Sequence, residues 1–381
     1  MSTNNDHKIK IYLGRMSHLQ ESILNFINTQ GQAESQYQEI ISFFKTHKIG
    51  EDRNELQSIL HLILKISNNH HRNPDFFSKI ERLFTNFKEE MKIYFSNYEI
   101  FKFFKSNKRL LLFLFKEGII KPDKQIACFI TNYKYQQAYY PHFFLPEFKN
   151  LFDEITLKNI NETIQTLNQN QQTQVDDKNS FDQKRQIGEN DHILYELIRN
   201  DSIDQFTSLV TEKNLPLSST IEPSIFETNS FLINQNPTLI EYAVFFGSLK
   251  IFNFLRSKEI ELTPSLWNFA IHGENLEILK ILVDKKINPQ NDSFKDVFIE
   301  SIKCHHNQIA KLIQINKKEL NLNDISTQSI KYYNYSFFPT EIKCDEIKTL
   351  CDFCKYNYFQ VVSFLLESNK IPINSQSILK I

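Results

Sequence analysis

Two stretches decide how this chain is read: TLIEYAVFFGSLKIFNFL at 238–255 and SLWNFAIHGENLEILKIL at 265–282. With Ala243 placed over Ala270 the flanks agree. Each stretch reads as a short helix, a turn and a second helix, and Ile251, Phe254 and Leu255 correspond to Ile278, Ile281 and Leu282. Apolar residues at three- and four-residue spacing mark one face of a helix. The register continues to Ser301, followed by Ile309, Leu312 and Ile313, and to Phe353, followed by Val361, Phe364 and Leu365. Upstream, Leu197 heads a fainter copy with Phe206 and Leu209.

The five register positions Leu197, Ala243, Ala270, Ser301 and Phe353 lie 46, 27, 31 and 52 residues apart. A period near ~33 residues is that of ankyrin repeats. The two long intervals then hold insertions, around Pro216–Asn236 and Leu322–Ile347. A lone helix pair cannot cover its apolar face, so neighbours must stack and share one lengthwise core. Small residues at Ala243, Ala270 and Ser301 let adjacent helices approach. The position between the two helices is Asp201, Gly247, Glu274, His305 and Asn357 in the five copies. Helices end there on a left-handed residue, which suits Gly, Asn and Asp. Glu274 and His305 fit less well, and Gly273 is placed to take that turn one residue earlier.

Upstream of 158 the chain reads as further helices. Leu56, Ile59, Leu60, Ile63 and Ile66 share a face behind a candidate cap at Asn54. Ile80, Leu83, Phe84 and Phe87 form a second block, and Phe101 to Phe115 a third with Gly118 as its stop. Between 158 and 190 the polar run NQNQQTQVDDKNSFDQKRQ has too little apolar surface to offset ordering, which predicts a linker or mobile loop. The predicted class is all-α. A helical N-terminal region (1–157) and a Gln/Asn-rich linker (158–190) lead into an ankyrin-like helix-turn-helix repeat solenoid (191–381).

Here the residues resemble a known family. CDFCKYNYFQVVSFLLESNK (351–370) resembles the second half of an ankyrin repeat, and Thr238–Ala243 its opening helix. IGENDHILYELIRNDSIDQF (187–206), SIFETNSFLI (224–233), PTLIEYAVFFGSLKIFNFL (237–255) and LTPSLWNFAIHGENLEILKIL (262–282) are similar to a large protist family of ankyrin-repeat proteins. That family carries an uncharacterised conserved domain and has no assigned activity. SNKRLLLFLFKEGIIKPD (106–123) and FLPEFKNLFDEI (144–155) resemble its N-terminal portion. The contiguous TPLH opening of standard repeats is absent, so regular β-hairpin fingers are not expected at every repeat. The resemblance implies a non-catalytic protein-protein interaction module or scaffold.

Composition narrows the alternatives. Net charge is -1, so no global field steers the chain to nucleic acid or anionic membrane. Seven glycines form none of the phosphate-cradling or nucleophile-elbow patterns, which sets aside mononucleotide and hydrolase readings. Five cysteines, an odd number, point to a reducing compartment. The opening residues lack a signal-peptide pattern, and Leu110–Phe115 is far shorter than the ~20 residues that span a bilayer. Cytoplasmic placement is therefore expected.

Cys351 and Cys354, with Cys344 upstream and Cys304, His305 and His306 further off, have the ingredients of a zinc site. No second pair follows at ligand spacing, and Cys354 falls at a helix-core register position, which favours packing. No metal and no cofactor is expected. A metal-dependent regulator or enzyme built on Cys304, His305, His306, Cys351 and Cys354 stays open as the alternative, and an architectural spacer as a second. His70 and His71 lie in a polar NNHHRNPD stretch that reads as a solvated loop. Lys92, Lys102, Lys105, Lys108, Arg109 and Lys116 interleave with aromatics, a pattern seen where single strands stack. The helical spacing of Phe101, Phe104 and Leu111 assigns the aromatics to a core and the basic residues to a solvated face. Trp267 matches an apolar repeat position. The expected partner is another protein, contacted through loop tips at Glu259, Glu261, Asn288, Gln290 and Asn291.

Overall fold

Capping and apolar periodicity divide this sequence into many short helices. Asp52 opens the Arg53–Asn69 helix by accepting from Glu55 N at 2.8 Å, so the cap is Asp52 and not Asn54. The expected single helix from Phe101 to Phe115 is two, Asn97–Phe104 and Lys108–Lys116. Asn107 caps the second through Leu110 N, and Gly118 (φ 61°) ends it as expected. The computed structural model describes residues 2–132, 138–171, 178–290, 293–316, 322–338 and 347–367. Among the described residues the chain is all-α: 24 α-helices, no strand, and one isolated antiparallel bridge between Thr220 and Thr238. No helix among them is long and apolar enough to cross a membrane.

Contacts group the chain into two units, Met1–Asn86 with Asn288–Ile381, and Phe87–Ile287. In the first, the Ser2–Asn28 helix packs on the Phe359–Glu367 helix and on the short turn Tyr335–Phe337. Gln20 ties that turn down: its amide donates to Asn334 Oδ1 at 3.0 Å and its carbonyl accepts from Tyr335 N at 2.6 Å. The core of this unit holds Leu19, Ile23, Leu56, Ile63, Ile302, Phe353 and Val361.

The second unit contains the composition boundaries at 157 and 190. Its polar stretch is helical where described, over Glu154–Gln171 and Lys178–Ile187. Arg185 within that stretch is 1% exposed, bonded to Glu147, Asp182 and the carbonyl of Phe143. A buried, paired arginine anchors a segment whose composition alone reads as linker. Residues 172–177 lie outside the described set, as do Cys344, Asn291 and residues 339–346 of the insertion at Leu322–Ile347, whose first part is the Leu322–Tyr332 helix.

Helix pairs follow in register. Leu239–Phe245 pairs with Leu249–Ser257, Leu266–Gly273 with Leu276–Asp284, and the two leading helices pack on each other. Ala243, Ala270 and Ser301 are all buried. The closest approach falls beside them, at Gly273, where an added Cβ would sit 2.2 Å from Val244 O. Asp201, Gly247, Glu274, His305 and Asn357 all have positive φ, from 47° to 67°. Glu274 itself therefore takes the left-handed turn, and Gly273 remains helical because the neighbouring backbone needs the space of its missing side chain.

Candidate functional site

The second unit contains a cleft of about 150 Å³ lined by Tyr139, residues 221–224, Glu227, Leu232, Ile233, Asn236, Pro237, Asn190 and Tyr242. Its walls come from local turn chemistry. Asn229 accepts from Phe231 N at 2.9 Å and starts the Ser230–Gln235 helix, which Asn236 ends at φ 48°. Thr238 and Glu241 form a capping box that starts the next helix. Between them Pro237 O accepts from Ile221 N at 2.7 Å, holding the two sides of the loop together.

Opposite lies the turn after the Lys178–Ile187 helix. Gly188 has φ 72°, and its carbonyl accepts from Thr228 N at 3.1 Å and Thr228 Oγ1 at 2.7 Å. A Cβ at Gly188 would meet Thr228 Oγ1 at 3.1 Å and Arg109 Cδ at 3.2 Å, so this position needs glycine for both conformation and space. Asn190 donates to Glu222 O at 2.8 Å, and Ser224 donates to Asp191, which is paired with Lys184 at 3.1 Å.

Two of the lining residues, Tyr242 and Glu227, belong to a buried polar group. Arg199 donates to Tyr242 Oη at 2.9 Å and lies 3.8 Å from Glu189. Burial first, then the Glu227 and Glu189 carboxylates, push the Tyr242 phenol well above its ordinary value against the pull of Arg199. Glu227 is 6% exposed. Its Oε1 accepts from Asn229 N at 2.7 Å, whereas Oε2 accepts no hydrogen bond among the described residues. Lys108, just behind, donates to Ala138 O at 2.9 Å and Ile225 O at 3.1 Å. Burial lowers its ammonium to about 7, with Glu227 opposing. His142 is lowered to about 4 by burial and by Lys108.

These groups answer several sequence expectations. Phe101, Phe104 and Leu111 are core residues as expected, but Lys108 and Arg109 are not a solvated face: they are 1% and 8% exposed. Arg109 Nε donates to Gln186 O. Trp267 is 4% exposed and donates to Ile287 O at 2.7 Å, as a core residue should. The Pro216–Asn236 insertion supplies most of the cleft wall, and nothing local in the sequence marks Glu227 as buried.

In the first unit His70 is buried, not solvated. Its Nδ1 donates to Cys304 O at 2.8 Å, and Nε2 lies 2.9 Å from the Asn28 side-chain amide. The His70 and His306 rings are 4.6 Å apart. Cys304, His305 and His306 are all buried, and burial lowers His305 to about 4. Cys351 and Cys354 are half-buried, while Leu350 and Phe353 take the core positions of their helix. Burial, then Cys351, raises the Cys354 thiol and so disfavours the thiolate that metals need. Within this unit, among the described residues, Cys304, His305, His306, Cys351 and Cys354 do not assemble three ligand atoms. Glu259 and Glu261 are exposed in the second unit, and Asn288 and Gln290 in the first. None of them lines the cleft.

No family model, no curated protein and no solved structure matches this chain.

Proposed function

We propose that the chain is a non-catalytic binding protein built on ankyrin-like helix pairs, akin to the protist ankyrin-repeat family its sequence resembles, and that it engages another protein in the cytoplasm. One observation carries the reading. Five inter-helix positions picked out by a single repeat register share one left-handed backbone state, although only one of the five is glycine. A state that costs a side-chain-bearing residue about 1–2 kcal/mol does not recur in register without a repeated turn. Repeated helix pairs create extended surfaces and leave the chemistry of recognition to side chains at their edges. The first helix, packed on the Phe359–Glu367 helix of the last pair, suits the terminal cap that such arrays need. Exposed Glu259 and Glu261 at one tip, and the polar-floored cleft of the second unit, are the contact surfaces in this reading.

The test is capture from native cell extract with the full chain as bait, against the same chain carrying Glu259→Ala, Glu261→Ala and Gln290→Ala. A stoichiometric protein held by the first bait and lost by the second supports the reading and locates the face. Retention by both moves the face elsewhere. If folded bait holds nothing at physiological salt, the binding reading fails and the spacer takes its place.

A further inference from the structure

We propose that Cys351 and Cys354 form a reversible dithiol–disulfide pair, oxidised by a low-molecular-weight disulfide such as glutathione disulfide, whose closure loosens the turn between the Ile347–Lys355 and Phe359–Glu367 helices. The inference concerns the first unit alone and stands apart from the binding reading.

Helix geometry brings the two thiols together. Cys351 and Cys354 are three residues apart in one helix, so they share a face of it. Three residues of α-helix turn through ~300° and rise ~4.5 Å, which sets the Cα atoms about 5 Å apart, inside the roughly 4.4–6.8 Å that a disulfide spans. Both thiols are free and both residues are half-buried, open to a small disulfide, whereas Leu350 and Phe353 of the same helix are buried. Cys304 is buried and Cys128 belongs to the other unit. Among the described residues Cys354 is therefore the partner within reach of Cys351.

The exchange balances. The Cys351 thiolate attacks one sulfur of glutathione disulfide, forms a mixed disulfide and expels one glutathione thiolate. The Cys354 thiolate then attacks Cys351 Sγ in that mixed disulfide and expels the second. The pair gives up two electrons and two protons, which leave as two molecules of reduced glutathione. Burial, then Cys351, raises the Cys354 thiol. That suits it to the second, intramolecular attack, where proximity offsets a small thiolate fraction. Disulfides in reducing compartments are of this transient kind.

Strain turns the bond into a switch. Cβ atoms three residues apart on a helix lie about 5–6 Å from each other, and a disulfide needs about 3.5–4.5 Å, so the backbone must give. Cys354 is the penultimate residue of its helix. Beyond it, Tyr356 N donates to Asp352 O at 3.0 Å, Asn357 N to Cys354 O at 3.2 Å and Tyr358 N to Phe353 O at 2.9 Å. All three acceptors lie on the segment that closure displaces. Tyr333 Oη also donates to Tyr356 O, and its ring stacks on Tyr358 at 4.6 Å, so the movement reaches buried core residues. A strained disulfide is also readily reduced, which makes the change reversible.

The experiment incubates the full chain with glutathione disulfide, then quenches, alkylates, digests with trypsin and maps the peptides by mass spectrometry. Cleavage after Lys348 and Lys355 leaves both cysteines in one peptide, 349–355, with Cys344 in the peptide before it. The expected product is peptide 349–355 lighter by two hydrogens and unalkylated, restored by reduced glutathione. Hydrogen exchange at the 356–358 amides should be roughly tenfold faster or more in the oxidised chain. Cys354→Ser should stop at a glutathione adduct on Cys351. Wild-type chain that stays fully alkylatable, stops at a mixed disulfide, or links Cys351 to the Cys344 peptide overturns the pair. A closed pair with unchanged exchange at 356–358 overturns the loosening. An adduct on Cys351→Ser and none on Cys354→Ser overturns the order of attack.

Discussion

Replacing Gly273 by alanine tests the packing of the helix pairs at its tightest point. The new Cβ would stand 2.2 Å from Val244 O and 3.2 Å from both Gly247 N and Phe245 O. Side-chain carbons essentially never come closer than 3.0 Å, so the Leu239–Phe245 and Leu266–Gly273 helices must separate by 0.8 Å at the least (3.0 − 2.2). Neither can yield freely, because Ala243, Val244, Ala270 and Ile271 between them are all 1% exposed or less. Overpacking of this kind costs about 1–3 kcal/mol. Moving Val244 O also strains the turn bond it accepts from Gly247 N at 3.1 Å, about 1 kcal/mol more. Against this, alanine gains at most about 1 kcal/mol in helix propensity, and less at the last position of a helix. The net expectation is destabilisation by about 2 kcal/mol, or a urea midpoint lower by roughly 1 M at an m-value near 2 kcal/mol/M. The assay is built in: Trp267, the single tryptophan, is buried in the same helix, so its fluorescence follows this unit. Gly14→Ala is the control of opposite sign. That glycine is exposed inside the Ser2–Asn28 helix with nothing within 4 Å of a new Cβ, and alanine should stabilise by up to about 1 kcal/mol in circular-dichroism melts. A Gly273→Ala midpoint at or above wild type would refute the close approach and the pairing drawn from it.

Two further expectations concern buried charge. Arg185→Ala should cost about 2–3 kcal/mol, since it leaves half-buried Glu147 unpaired and the Phe143 carbonyl without that donor; limited proteolysis should then cut between 154 and 190 much faster than in wild type. Unchanged proteolysis would mean the polar stretch is not anchored there. His61, His142 and His305 each sit at about 4 because burial disfavours the imidazolium. Their folded values lie below the unfolded one, so their contribution is complete above about pH 6.5. It is lost as pH falls towards 4, by up to about 1.4 kcal/mol per pH unit for each. Imidazole NMR at pH 5 should find the His61, His142 and His305 rings neutral, and charged rings at these three positions would contradict the burial.

The helix pairs were legible because both of their signals are local. Apolar residues at Ile251 and Leu255, and at Ile278 and Leu282, repeat within a turn or two, and all four are fully buried. The flanks of that register were read less well: Phe254 is half-buried, Leu312 is 54% exposed, and Phe252 takes a core place the alignment did not assign. What escaped the sequence were the buried basic side chains. Lys108 is satisfied by a carbonyl 117 residues away, Arg109 by one 77 away, Arg185 by a carboxylate 38 away and His70 by a carbonyl 234 away. A basic residue on a helix reads as solvated unless its distant acceptor is known. Composition likewise took the 158–190 stretch for a linker, because one buried ion pair outweighs many polar neighbours and is invisible to an average. The cleft escaped for the same reason, as most of its wall is a loop read as an insertion, including a glutamate that only tertiary structure buries.

The left-handed turns themselves distinguish conformational tolerance from recruitment of the side chain. Glu259 (φ 60°) is exposed at a tip, and no hydrogen bond to its side chain is seen among the described residues. Glycine there relieves about 1–2 kcal/mol of left-handed strain and gives back about 0.5–1 kcal/mol in unfolded-chain entropy. Glu259→Gly should therefore stabilise by about 0.5–1 kcal/mol. Asp201 (φ 47°) has the same backbone state and a different task. Its carboxylate accepts from Ile251 N at 2.9 Å and Lys250 N at 3.0 Å, capping the Leu249–Ser257 helix of the following pair. The same substitution there gains the same strain relief but loses a cap made by an ionised acceptor, worth about 2 kcal/mol, so Asp201→Gly should destabilise by about 1 kcal/mol. Chemical denaturation followed through Trp267 reads both variants in one unit. Opposite signs would show that Asp201 was recruited to join one helix pair to the next, whereas stabilisation by both would reduce it to a residue that merely tolerates its turn.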